Sequence, residues 1–224
     1  MAQRRIGILG GSFNPPHRGH LNMTELAHNR LNLDQVWLMV SPQNPLKSES
    51  DMAPLADRMA MCEKLAGGAP WLCVTDIENR LKTQFTADTL KELTRQHPDD
   101  TFFWLMGDDN LKTFHQWHRW QEIAALVPLV VFRRCGDDTP LSSPAAEALK
   151  AYQVAPESVQ ETPPNWRLME NQPHTMSATD VRENMRKNPR DNLGSAAHIL
   201  TPDVADYIKQ NNLYAQQNLP EDFP

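Results

Sequence analysis

The sequence predicts an α/β fold: a parallel sheet with helices on both faces. Three observations carry that prediction. Short apolar runs of strand length recur along the 224 residues, most of them separated by stretches of helical periodicity. One run, Gln35-Val36-Trp37-Leu38-Met39-Val40, is continuous and has the look of a strand buried on both faces. The punctuated polar segments at 10–20, 42–47, 107–110 and 133–134 all follow strand ends. They can therefore share one mouth beyond the carboxyl ends of the strands, where such sheets bind ligands.

The first strand is expected over 5–9. The first helix is expected over 19–31, where Leu21, Glu25, Leu26, His28 and Asn29 open a helical pattern. The strand over 35–40 is broken by Ser41-Pro42-Gln43-Asn44-Pro45. A helix over 54–66 sets Leu55, Met59, Cys62 and Leu65 on one side and ends at Gly67-Gly68. A third strand over 71–77 and a fourth over 101–106 bracket a helix over 86–96. Residues 111–125 read as one helix rich in aromatic and imidazole groups. A fifth strand over 129–132 closes on Arg133-Arg134-Cys135-Gly136. The Ala-, Ser- and Pro-rich stretch 137–164 is read as surface chain holding a helix. A sixth strand over 166–170 and helices over 177–187 and 203–210 complete the pattern. The chain is read as a single domain over 1–214, with a small helical C-terminal portion and a polar tail over 215–224.

Composition narrows the function. With 40% hydrophobic residues the chain can bury one sizeable core. A net charge of −6 without a long basic run speaks against a nucleic-acid platform. An anionic substrate must then be held by a local cluster of positive groups. The three cysteines, Cys62, Cys73 and Cys135, are far apart, so neither a disulfide framework nor a zinc site is expected, and a reducing cytoplasm is the simplest setting. Arg4-Arg5 precedes an apolar stretch too short for a signal peptide, because Gly10-Gly11 and Asn14-Pro15-Pro16 interrupt it. No run approaches the ~20 apolar residues of a membrane span. The expectation is a soluble cytoplasmic protein with neither nucleic acid nor membrane as partner; nothing in the sequence speaks to oligomeric state.

The chemistry concentrates in Gly10-Gly11-Ser12-Phe13-Asn14-Pro15-Pro16-His17-Arg18-Gly19-His20. A strand, a tight loop and a helix start make a phosphate site, because a helix start offers backbone N–H groups and partial positive charge. His17 and His20 can project to one side of the first turn and donate to phosphate oxygens as charge builds on them. The glycine spacing is that of neither a dinucleotide fingerprint nor a P-loop. A second constellation is Ser177-Ala178-Thr179-Asp180-Val181-Arg182. It reads as a capped helix start, or as a further anion site with two hydroxyls and an arginine suited to phosphates. Lys47 and Arg134 are further candidate cations after strand ends.

The Gly-Gly-x-Phe loop leading into His-x-Gly-His, with the late Ser-x-Thr-x-x-Arg, resembles the nucleotidyltransferase superfamily of adenylyl- and cytidylyltransferases. Within it the chain resembles the bacterial nicotinate-nucleotide adenylyltransferase family. That likeness extends through Asn44-Pro45-Leu46-Lys47, Thr83-Gln84-Phe85-Thr86-Ala87-Asp88-Thr89-Leu90, Gly107-Asp108-Asp109-Asn110-Leu111, Trp117 with Trp120, and Arg133-Arg134. The chain departs from the family's common pattern at Asn14, Asp108 and Asp180. The resemblance implies a Rossmann-like sheet and transfer of the adenylyl group of ATP to nicotinate mononucleotide, giving deamido-NAD and pyrophosphate in NAD biosynthesis. It implies catalytic roles for His17, His20, Lys47 and Arg182. ATP would be held by Gly10, Gly11, Ser12, Phe13, Gly107, Asp109, Arg134, Ser177 and Thr179. The mononucleotide would be held by Phe85, Thr86, Leu111 and Trp117, with the indole stacked on the pyridine ring. Mg²⁺ would arrive with ATP, with no dedicated metal site on the protein. The alternatives are an enzyme using the amide, nicotinamide mononucleotide, or pantetheine phosphate, and a non-catalytic nucleotide sensor of the same fold.

Overall fold

The structure is a computed structural model that describes residues 3–42, 52–133, 138–171, 178–187 and 198–214. Among these, six strands form one parallel sheet in the order β3-β2-β1-β4-β5-β6. The strands are β1 (Arg5–Gly11), β2 (Gln35–Val40), β3 (Leu72–Thr75), β4 (Thr101–Gly107), β5 (Leu129–Phe132) and β6 (Trp166–Met169). This is the order of a Rossmann-like sheet, as expected. It reverses between β1 and β4, which pair directly, with Leu9 opposite Leu105. The connections leaving these two strands run to opposite sides, so a crevice opens at their carboxyl ends.

The helices are α1 (Arg18–Leu31), α2 (Leu55–Ala66), α3 (Ile77–Leu81), α4 (Thr86–Gln96), α5 (Asp108–Thr113), α6 (Trp120–Leu126), α7 (Pro144–Ala148), α8 (Ala178–Lys187) and α9 (Pro202–Gln210). They cover both faces because the strands alternate. Phe103 and Leu105 of β4 join Met23, Ala27, Met61, Cys62, Val181, Val204 and Ile208 in one core, which collects α1, α2, α8 and α9. Phe102, Trp104 and Met106 face the other way and pack with Leu90, Leu93, Phe114, Ile123 and Ala145, from α4 to α7. Helix ends follow local chemistry. Asn32 (φ 47°) caps α1 and Gly67 (φ 58°) caps α2, both in the left-handed region those residues tolerate.

Two expectations are corrected. The strand expected over 71–77 ends at Thr75, and α3 follows at once. The helix expected over 111–125 is broken: α5 gives way to a 3₁₀ turn at Phe114–Gln116, Trp117 is extended (ψ 145°), and Arg119 (φ 52°) starts α6. Arg119 is held in that conformation by ion pairs with Asp88 and Glu122. The surface stretch after 137 does hold a helix, α7, between two 3₁₀ turns, Thr139–Ser142 and Lys150–Tyr152. Among the described residues, no helix is long and apolar enough to cross a membrane. Cys62 and Cys73 are unpaired thiols; Cys135 and the tail over 215–224 lie outside the described residues.

Candidate active site

Strand β1 delivers the chain to the crevice through Gly10 and Gly11. Gly10 is required by packing, since a Cβ there would lie 2.4 Å from Cη2 of the buried Trp104 in β4. Phe13 then turns the chain with φ +45°, a conformation costing about 1–2 kcal/mol for a side chain of this kind. Its ring is buried and lies edge-on to His20, centroids 5.0 Å apart.

His17 is the N-cap of α1. Its Nδ1 accepts from the Gly19 backbone N–H (3.1 Å), and Nδ1 of His20 accepts from the His17 backbone N–H (3.2 Å). The two imidazoles thus form a reciprocal capping box, with rings stacked at 3.8 Å. A ring nitrogen that accepts carries no proton. These bonds therefore assign both rings the neutral tautomer, with Nε2–H as donor. No acid lies in the first turn of α1, so no carboxylate of that turn offsets the positive end of the helix dipole.

The loop before the histidines is clamped from three directions. Asn14 Oδ1 accepts from the Ala53 backbone N–H (2.9 Å) and from the Tyr214 hydroxyl (2.8 Å). Its carbonyl accepts from the Arg182 guanidinium (2.6 Å), which also reaches the Thr179 hydroxyl (3.3 Å). Arg58 is 1% exposed and donates to four carbonyls: Ala53 (2.9 Å), Ser12 (2.8 Å), Ser41 (2.7 Å) and Pro42 (2.9 Å). Burial pushes its guanidinium below the ordinary value, a cost its carbonyl partners offset. The Ser41 N–H closes the frame on the Gly11 carbonyl (2.9 Å).

On the far side of Gly10, Trp117 stands half-buried and edge-on to Phe114 (5.4 Å) and Trp104 (6.1 Å). Phe85, the N-cap of α4, packs on His118 at 4.3 Å, and Asp88 in the first turn of α4 pairs with Arg119 at 2.6 Å. The broken helix and the α4 start are thereby brought together. No side chain caps α4, which leaves its first N–H groups to solvent or a ligand.

Other expected site residues divide. Gly107 is the N-cap of α5, Asp108 is buried and Asp109 exposed, both in the first turn of that helix. Leu111 is fully buried in the core, with its carbonyl accepting from Ser143 (3.2 Å). Its side chain is packing, not pocket lining. Lys47, Arg134 and Ser177 lie outside the described residues. Among the described residues, no group of three or more His, Cys, Asp or Glu could hold a metal ion.

Residues 8–184 match the cytidylyltransferase-like family. A probable nicotinate-nucleotide adenylyltransferase of Agrobacterium fabrum is 42% identical over 184 residues, covering 80% of this chain and 98% of the relative. One from Parvibaculum lavamentivorans is 44% identical, covering 80% and 91%. The chain belongs to the nicotinate-nucleotide adenylyltransferase family. The fold is shared with solved structures as well. The Plasmodium falciparum nicotinic acid mononucleotide adenylyltransferase complexed with NaAD superposes with a TM-score of 0.73 at 19% identity, covering 95% of this chain and 98% of the other. Its complex with APC gives 0.72 at 18%, with the same coverage.

Against the family's pattern, Asn14 keeps its loop through an oxygen that two donors share, a role a neutral amide fills. Asp180 sits partly buried in the first turn of α8, a position the helix dipole favours. Sequence reasoning missed Arg58, Ser41, Glu78 and Tyr214. For Arg58 a signal existed: it lies on the apolar stripe of Leu55, Cys62 and Leu65 at spacings of three, four and three. A lone arginine on such a stripe is a buried cation in search of carbonyls.

Proposed function

We propose that the enzyme transfers the adenylyl group of ATP to nicotinate mononucleotide, releasing pyrophosphate and forming deamido-NAD. The observation that carries this reading is the stacked His17–His20 pair, with two Nε2–H donors at a helix start whose first turn holds no acid. An oxygen of the mononucleotide's 5′-phosphate attacks the α-phosphorus of ATP, the bond to the bridging oxygen breaks, and the pair of electrons leaves on pyrophosphate. The histidine N–H groups meet the charge that gathers on the phosphate oxygens, and no covalent enzyme intermediate is needed. Arg182 reaches from α8 to the same loop, with Thr179 beside it. Lys47, Ser177 and Arg134 complete the cationic and hydroxyl set by family resemblance.

The start of α5 carries two acids, so it suits the hydroxyls of the ATP ribose, and the triphosphate belongs at α1. Phe85, Thr86 and Trp117 take the pyridine end. Mg²⁺ would arrive with the triphosphate, where it would supply charge neutralisation. The described donor set, with no acidic or imidazole cluster for a metal, fits an ion carried by the nucleotide. The protein is assigned to the cytoplasm, with the domain running over 1–214.

Pyrophosphate release from ATP tests the reaction, with nicotinate mononucleotide set against its amide. Release is expected with the acid and much less with the amide. Equal rates would undo the acid preference, and no release with either would leave a nucleotide sensor. Trp117→Ala separates stacking from packing. Loss of an indole platform costs about 1–3 kcal/mol per base, or roughly 5- to 150-fold in KM for the mononucleotide. KM for ATP should change far less; an equal rise in both would mark Trp117 as structural.

A further inference from the structure

Glu78 is a carboxylate with 3% exposure in α3, used by no step above. Burial pushes its pKa up, and the bond from Ser41 acts against that shift. A buried carboxyl costs folding energy that an apolar residue at the same place would not, so its bonds define what it is for. The Ser41 hydroxyl donates to Glu78 Oε2 (2.7 Å). The backbone N–H of the same serine holds the Gly11 carbonyl (2.9 Å), and its carbonyl accepts from Arg58 (2.7 Å). In the other direction the Glu78 carbonyl accepts from the Thr83 N–H (3.0 Å). The Thr83 and Thr89 hydroxyls share a bond of 2.7 Å, and the Thr89 hydroxyl donates to the Phe85 carbonyl (3.2 Å). A continuous polar strut therefore runs from the Gly10–Gly11 loop to the N-cap of α4.

We infer that Glu78 is a positioning residue for the acceptor: through Ser41 it sets the Phe85–Thr86 start of α4 at a fixed distance from the phosphate loop. This rests on the reading that Phe85 and Thr86 receive the mononucleotide. The two ends of the strut are unequal. The loop end is also held by Arg58, Arg182 and Tyr214, so cutting at Glu78 leaves the ATP end in place and uncouples from it the start of α4, which keeps its contacts with His118 and Arg119.

Steady-state kinetics on Glu78→Ala, Glu78→Gln and Ser41→Ala test the inference, with the unaltered enzyme assayed alongside. Glu78→Ala should raise KM for nicotinate mononucleotide roughly tenfold, with KM for ATP changed less than about twofold, the size expected for one lost buried bond to a charged group. Glu78→Gln keeps an oxygen that accepts from Ser41 and should stay within about threefold of the unaltered enzyme. Ser41→Ala should shift the same KM in the same direction, and the double variant should be no worse than the poorer single one, because both cut one strut. An equal rise in both KM values, or a fall in melting temperature with neither KM moved, overturns the inference. If Glu78→Ala fails to fold, an unsplit KM pair in Ser41→Ala overturns it as well. Absence of turnover in the unaltered enzyme overturns the reaction; turnover with unsplit KM values overturns the role of Glu78 alone.

Discussion

Replacing His20 with alanine is expected to lower kcat by about 10²–10³-fold, the usual cost of deleting one donor aimed at developing charge. The fold should survive. The side chain gives the fold a capping bond, from the His17 N–H to Nδ1, worth about 1 kcal/mol by analogy with other caps, beside its ring contacts with His17 and Phe13. His20→Glu distinguishes the two roles. A glutamate at the third helical position can reach back to the same N–H, so thermal stability should recover relative to alanine. The rate should fall further still, because a carboxylate has no proton to offer and repels the triphosphate. Saturating turnover and a melting curve on both variants decide the matter. Turnover of His20→Ala within twofold of the unaltered enzyme would remove the imidazole from the chemistry.

Arg58→Met is expected to cost about 3–5 kcal/mol of folding stability, the scale for removing one side of a buried charged network. The methionine fills the space of the stem, so the loss isolates the guanidinium. Two terms compete. Deleting a buried cation relieves its desolvation, but the carbonyls of Ser12, Ser41, Pro42 and Ala53 lose their donor together. Bonds from a charged donor are worth about 1.5–3 kcal/mol each, and they are not additive. Four of them outweigh one desolvation. For a chain of this size each kcal/mol moves the melting temperature by roughly 2–4 °C, so a fall of about 6–20 °C should be seen by calorimetry or circular dichroism. An unchanged midpoint would show that the loops after β1 and β2 hold themselves. Arg58→Lys should recover only part, because an ammonium cannot span four acceptors in the plane of a guanidinium fork.

The contrast between these residues explains what the sequence could and could not disclose. His17 and His20 were legible because the whole device lies within one loop and one helical turn, and its capping bonds are local. The sheet was legible because Phe102 to Met106 alternate between two cores, so the run is apolar throughout. The start of α3 was hidden because Ile77 extends an apolar run and the helix is a single turn. The break before Trp120 was hidden because the left-handed Arg119 is supported partly by Asp88, 31 residues away. Arg58 and Glu78 are polar letters whose partners come from other connections, so their burial depends on the finished fold. Trp117 fell between: its type suggested stacking, yet only the broken helix sets it half-exposed beside the crevice.

The bond from Tyr214 to Asn14 joins positions 200 residues apart in the chain, and Arg182 reaches the same asparagine across 168. The histidine loop is thus made well before the parts that secure it. A nascent chain that has folded β1 to β5 already carries both imidazoles, but it lacks two of the three clamps on the residue that aims them. Contacts of such long separation form late, after the loop-closure cost has been met by the rest of the sheet. The sheet is therefore expected to form before the histidine loop is fully clamped. Unfinished or truncated chains should bind nucleotide loosely and turn nothing over.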